Sequence, residues 1–221
     1  MSQIKLKHSG GNGVIIAAPS SNPASDRTIT LPSDADGTLA RTSDIDVVKL
    51  ANVNSGSTIL NFGLTSIDTS IYRMVRVVGG FATGTDGAKL LFYYKNGSTT
   101  LDGSDYYYAA SEHQAGGSSP STYSGSGAVG IELTKEGGNG NTEGLRLDVS
   151  INFAKSGTDA LSAAINNFIT FQTMRINQSG AFRSHNGGGL FKGQQNTDGF
   201  MIQPNTGQIN DYSYAIYGYK R

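Results

Sequence analysis

GLRLDVSINFA, residues 144–154, alternates without a break. Leu145, Leu147, Val149, Ile151 and Phe153 fall on one side, and Arg146, Asp148, Ser150 and Asn152 on the other. Only a pleated strand places every second side chain on one face. The apolar row is branched or bulky and suits a core, while the polar row suits water. The stretch therefore predicts a sheet with one dry face, as antiparallel sheets often have.

Working outward, further strands are predicted over 58–62, 71–78, 89–95, 105–109, 128–134, 168–176, 200–203 and 212–219. Breaks rich in Gly and Asn separate them, such as Gly79-Gly80, Gly116-Gly117 and Gly137-Gly138-Asn139-Gly140. Short strands at close intervals predict an antiparallel sandwich or barrel. About nine such strands, in a chain of 221 residues with 30 glycines, suit an all-β jelly-roll β-sandwich over residues 58–221. Residues 159–166 read as a helical turn or two within a connection. Gly187-Gly188-Gly189 reads as a flexible loop with a short strand starting at Leu190, and 112–127 as a long polar loop of the kind that carries recognition.

Upstream, 43–57 reads as a short helix or a linker. Ser43 is a candidate N-cap, Asp44 and Asp46 suit a first turn, and Ile45, Val48 and Leu50 make a short apolar stripe. Residues 1–42 alternate short apolar runs with turns. Ile4 and Leu6 lie in one strand and Val14, Ile15 and Ile16 in its hairpin partner. Ile29 and Leu31 lie in a third strand, and Leu39 begins a return. This region has no aromatic residue. A buried aliphatic side chain contributes roughly 1.5–3 kcal/mol, against about 1–2 kcal/mol of ordering cost per residue. The region is therefore expected to need a partner, which makes these eight residues the candidate attachment and subunit contacts.

The totals narrow the functions. Lys+Arg and Asp+Glu are both 17, a balance without the positive footprint that nucleic acid or an anionic membrane would require. There is no cysteine, hence no disulfide, thiolate nucleophile or Cys-based metal site. The start of the chain lacks the apolar run of a signal peptide, and no segment approaches the ~20 apolar residues of a membrane span. No cofactor or metal is expected. The three histidines, His8, His113 and His185, each read as loop residues, His8 and His185 directly beside Ser, with no G-x-S-x-G elbow to mark a nucleophile. Asp34-Ala35-Asp36-Gly37 opens like a calcium loop, but Ile45 stands where the closing Glu is needed. Gly187-Gly188-Gly189 lacks the Lys-Ser or Lys-Thr of a phosphate-binding loop. No enzymatic activity is expected.

One aromatic run stands out. Tyr106, Tyr107 and Tyr108 are consecutive, with His113 and Tyr123 following. On a strand, Tyr106 and Tyr108 point one way and Tyr107 the other. Tyr106, Tyr108, His113 and Tyr123 are the candidate glycan-binding residues, since phenol rings stack on sugars; core packing and subunit contact are the competing roles.

Two stretches resemble known proteins. Residues 7–40, above all RTITLP (27–32) followed by DGTLA (36–40), resemble an N-terminal segment recurrent in phage structural and tail-fibre-like proteins, especially those of marine phages. The closing GQI (207–209) and YAIYGY (214–219) look like the last strand of jelly-roll domains at the ends of phage fibres, although Tyr219 stands where an aliphatic residue is more usual. The resemblance implies a virion protein, made in the host cytoplasm and attached to the particle by its N-terminus, commonly as a homotrimer alongside other virion proteins. It implies a short tail fibre or receptor-binding protein touching a host surface glycan, or a capsid decoration protein. A free carbohydrate-binding module is the alternative outside that class.

Overall fold

The computed structural model describes residues 3–7, 10, 13–17, 46–117, 119–136, 144–153, 167–177, 179–193 and 196–220; for 3–7, 13–17 and Ser57 it describes the backbone alone. The chain divides into two compact units, Met1–Arg41 and Thr42–Arg221. In the first, β1 (Gln3–Lys7) and β2 (Gly13–Ala17) form an antiparallel hairpin. Ile4 is paired with Ile16, Leu6 with Val14, and Ile15 with Lys5. The expected strand and return carrying Ile29, Leu31 and Leu39 lie outside the described residues, as does the expected turn of helix over 159–166.

The second unit is built from β3 (Val47–Ile59), β4 (Phe62–Leu64), β5 (Tyr72–Thr83), β6 (Leu90–Asn96), β7 (Thr99–Thr100), β8 (Tyr106–Gln114), β9 (Ser121–Ala128), β10 (Ile131–Glu132), β11 (Gly144–Asn152), β12 (Asn167–Ile176), β13 (Phe182–Phe191), β14 (Gly199–Pro204) and β15 (Ile209–Lys220). All pairings are antiparallel. One sheet has the order β3-β15-β5-β11-β12-β13-β8-β9, and the other β10-β6-β14-β4, with β7 alongside β6. The described residues contain strands and turns and no helix.

The two sheets share one apolar core, a sandwich-like arrangement. Phe62 on β4 stacks on Phe81 of β5 at 4.7 Å and on Tyr214 of β15 at 4.8 Å. Tyr94 on β6 meets Phe153, just past the end of β11, and Phe191 of β13 in the larger sheet. The alternation of β11 lands as its pattern requires: Leu145, Leu147, Val149 and Ile151 are buried, and β11 lies between β5 and β12.

Three local expectations are corrected. Where a short helix or linker was expected over 43–57, Val47–Ile59 is a 13-residue strand, the edge of the larger sheet beside β15. A helix of that length has little stability alone, and a long ladder to β15 satisfies the same backbone groups. The expected loop over 112–127 contains the end of β8 and most of β9. The expected glycine loop at 187–189 is the middle of β13, an interior strand paired on both sides. Strands disfavour glycine, but here the absent side chains are required. A Cβ on Gly187 would stand 2.5 Å from the Phe171 ring and 2.6 Å from the Ala110 methyl; one on Gly189 would stand 2.7 Å from Ile131. Bulky neighbours fill the space above these two glycines.

Candidate functional site

The pleat divides the tyrosine run. Tyr106 faces inward and is fully buried. Its hydroxyl donates to the Leu101 carbonyl at 2.6 Å and accepts the Tyr94 N–H at 2.8 Å, and its ring lies 4.9 Å from that of Phe191. Burial drives its phenol pKa far up. No face of the ring is left for a sugar, so Tyr106 is corrected from candidate glycan contact to core residue. Tyr108 also points inward and is half-buried, edge-on to Tyr123 at 6.3 Å. Burial, reinforced by Glu132, pushes its pKa up to about 12. His113 is exposed on the opposite face, paired with Ser184. The four candidates thus form no single patch: Tyr108 and Tyr123 meet, Tyr106 lies in the core, and His113 lies behind the sheet.

Tyr123 leads instead to a buried polar network that sequence reasoning missed. Its hydroxyl lies 3.0 Å from Nδ1 of His185, which is wholly buried. His185 Nε2 lies 2.9 Å from Oε2 of Glu112 and 3.2 Å from Nε of Arg175. Arg175, 2% exposed, donates to Glu112 Oε2 at 3.0 Å, and Arg183 donates to Oε1 at 2.6 Å. Glu136 approaches the Arg175 guanidinium at 3.5 Å, and Thr173 donates to the Leu133 carbonyl. The network lines the inner face of β12, β13 and β8 where residues 133–136, rather than a strand, lie against it. Burial, with Arg175 beside it, lowers the His185 pKa to about 4, so the ring is neutral at ordinary pH. Burial alone would raise the Glu112 pKa, but the charge of His185 once that ring is protonated, and at ordinary pH the guanidiniums of Arg183 and Arg175, outweigh it and hold the carboxylate ionised. The sequence signal was a change of character within one period: Ile169 and Phe171 are followed on the same face by Thr173 and Arg175.

The opposite, outer face of the same strands is organised in rows. Cross-strand register aligns Phe168, Leu190 and Tyr107 in one row on β12, β13 and β8. The next row runs Ser150, Thr170, Gly188, Ala109 and Ser124 from β11 to β9, and the third runs Asp148, Gln172, Asn186, Ser111 and Thr122. Arg76 holds Asp148 through two hydrogen bonds, of 2.8 and 2.5 Å. Depressions of about 310 Å³ and about 450 Å³ open on these rows, and Asn186 lines both. Among the described residues, no three of His, Asp and Glu converge as metal ligands.

The chain matches no protein-family model, no curated protein and no solved structure.

Proposed function

We propose that this chain is a non-enzymatic phage virion protein of the short tail-fibre or receptor-binding type. Its N-terminal segment anchors it to other virion proteins, and its C-terminal unit projects as a jelly-roll β-sandwich, three copies together. The observation that carries this reading is the strand order. Setting β7, β8, β9, β12 and β13 aside leaves eight strands. They run first-eighth-third-sixth in one sheet (β3-β15-β5-β11) and second-seventh-fourth-fifth in the other (β4-β14-β6-β10). That order is the one expected of a jelly roll, an architecture common in capsid and lectin domains, and it supports this reading. The two remaining strand pairs, β8–β9 and β12–β13, continue the first sheet beyond β11 and enlarge its outer face. Such an enlargement suits a protein that meets a surface. The phage-like run over 7–40 supports the virion context, and the exposed Val47, Tyr107 and Phe168 on the outer face support contact with other chains or ligands.

Labelling Arg221 with gold on intact particles tests the assignment. Label at the tail is expected; label at the capsid three-fold positions favours the capsid decoration alternative; unlabelled particles overturn the virion reading. Sedimentation of the purified chain should give a mass near three chains, and a monomer at micromolar concentration removes the trimer. The free carbohydrate-binding module, the alternative outside the virion class, predicts glycan binding by a chain that never joins particles.

A further inference from the structure

We propose that the outer-face groove crossing β11, β12, β13, β8 and β9 binds a linear, uncharged polysaccharide. The inference deepens the host-recognition reading above and rests on it only for the source of the glycan. Two unlike walls define the groove. One is apolar: Phe168 and Tyr107, 37% and 36% exposed, flank Leu190 on adjacent strands. Lys192 lies 5.8 Å from the centre of the Tyr107 ring and braces it from one side. The other wall is polar: Gln172 and Asn186, both exposed, are cross-strand neighbours flanked by Asp148 and Ser111. Between the two rows lie the low side chains of Ser150, Thr170, Gly188, Ala109 and Ser124, and the two depressions along the polar row are both lined by Asn186.

A sugar ring has the matching two-sided chemistry. Its C–H face packs against aromatic rings, and its equatorial hydroxyls both donate and accept, as Asn and Gln amides do. Strands lie about 4.8 Å apart, so the row of low side chains is roughly 19 Å long from β11 to β9, enough for several linked rings. The polar wall's lack of charge argues for a neutral polymer, and the Lys192 ammonium at the other wall lies against the Tyr107 ring. The strong charges at the β11 end, Arg76 and Asp148, are committed to each other, and from Gln172 to Thr122 the polar wall is uncharged. A protein partner of ordinary affinity would need a flat apolar centre, whereas the middle of this surface is Ser, Thr, Gly and Ala.

The test uses the full chain on an array of purified bacterial O-antigen and capsular polysaccharides, neutral and acidic. Retention on at least one neutral polymer is expected, falling about tenfold or more for Tyr107→Ala and for Asn186→Ala. Phe182→Ala, an exposed aromatic on the same face beyond the polar wall, should leave retention unchanged. Retention on no neutral polymer, or on acidic polymers alone, overturns the proposal. So does retention insensitive to both groove substitutions. Self-association lost with Tyr107→Ala and no glycan retained would assign the face to a second copy instead. Particle incorporation of the same variants separates the two readings. Tyr107→Ala chains that still join particles keep the virion assignment whatever the array shows. Wild-type chain held by a glycan but absent from particles keeps the groove and removes that assignment.

Discussion

Leu147 and Thr173 sit opposite each other on neighbouring strands, yet they belong to differently built halves of one sheet. In the half formed by β3, β15, β5 and β11, the inner face is carried by residues such as Ile216, Val75, Val77 and Leu147, all buried. Aromatic rings of the smaller sheet meet it there. Crossing to β12, β13 and β8 at the level of Leu147, the same face becomes Thr173, His185 and Glu112. The covering there is a stretch of chain with carbonyls and charges of its own. The comparison teaches that period-2 alternation specifies burial, while the surface lying opposite specifies whether the buried residues are apolar or paired polar groups.

The largest break in this comparison should come from Arg175→Met. It leaves the Glu112 carboxylate buried with a principal partner removed, a change that costs about 3–5 kcal/mol in comparable sites. Urea unfolding should show it, and Glu112→Leu added to Arg175→Met should recover part of the loss. A double variant as unstable as the single one would mean that the network is not held by that pair.

Acid should separate the halves next. His185 is neutral when folded with a pKa near 4, and on unfolding it returns to about 6.5. The unfolded chain therefore binds more protons between those values, and stability falls as pH drops from about 6.5 to 4, by an amount on the order of 3 kcal/mol. Glu112, held below its usual value, acts in the same direction at lower pH, because its contribution is lost as the carboxylate takes up a proton. Melting temperatures across pH 4–7 should slope for the wild type and for Leu147→Ala, and flatten for His185→Gln. Equal slopes in all three would detach the acid response from the network.

Gly187→Ala tests the glycines of the second half. The added methyl meets the Phe171 ring and Ala110, so a loss of about 1–3 kcal/mol is expected in urea unfolding. Phe171→Leu, which shortens the obstructing side chain, should lessen the penalty. The smallest effect belongs to the outer face. Arg76→Ala removes a pair whose side chains are 44% and 35% exposed, and should cost no more than about 1 kcal/mol, shrinking further in high salt.

Legibility in the sequence follows the same division. β11 could be read because four apolar residues alternate with four polar ones over its length, and Phe153 continues the apolar row just past it. β12 could be read as a strand over 168–176 by the same rule, which left Thr173 and Arg175 on its inner face unexplained. β13 could not: its FRSHNGGGLF carries three glycines, which signal a loop unless the Phe171 and Ile131 side chains above them are known. β9, with Gly125 beneath the Tyr108 ring, was hidden for the same reason. The tyrosine run reveals its two faces but not which one is buried, so the pattern alone leaves Tyr106 between glycan contact and core and does not single out Tyr107. The polar network was invisible because its members are remote: Glu112 and Arg175 are 63 residues apart, and Glu112 and Arg183 are 71 apart.

By itself, the sequence determined that this protein is built from antiparallel strands with a dry face, because alternation and turn chemistry are local properties that each segment carries wherever it lies. The tertiary structure alone decided that β8–β9 and β12–β13 join the larger sheet beyond β11. It also decided that Glu112, Arg175, Arg183 and His185 share one buried site, and that Phe168, Leu190 and Tyr107 share one outer-face row, two registers along from Gln172 and Asn186. Those are matters of strand order and register, set by the pairing of distant segments, and no local pattern encodes them.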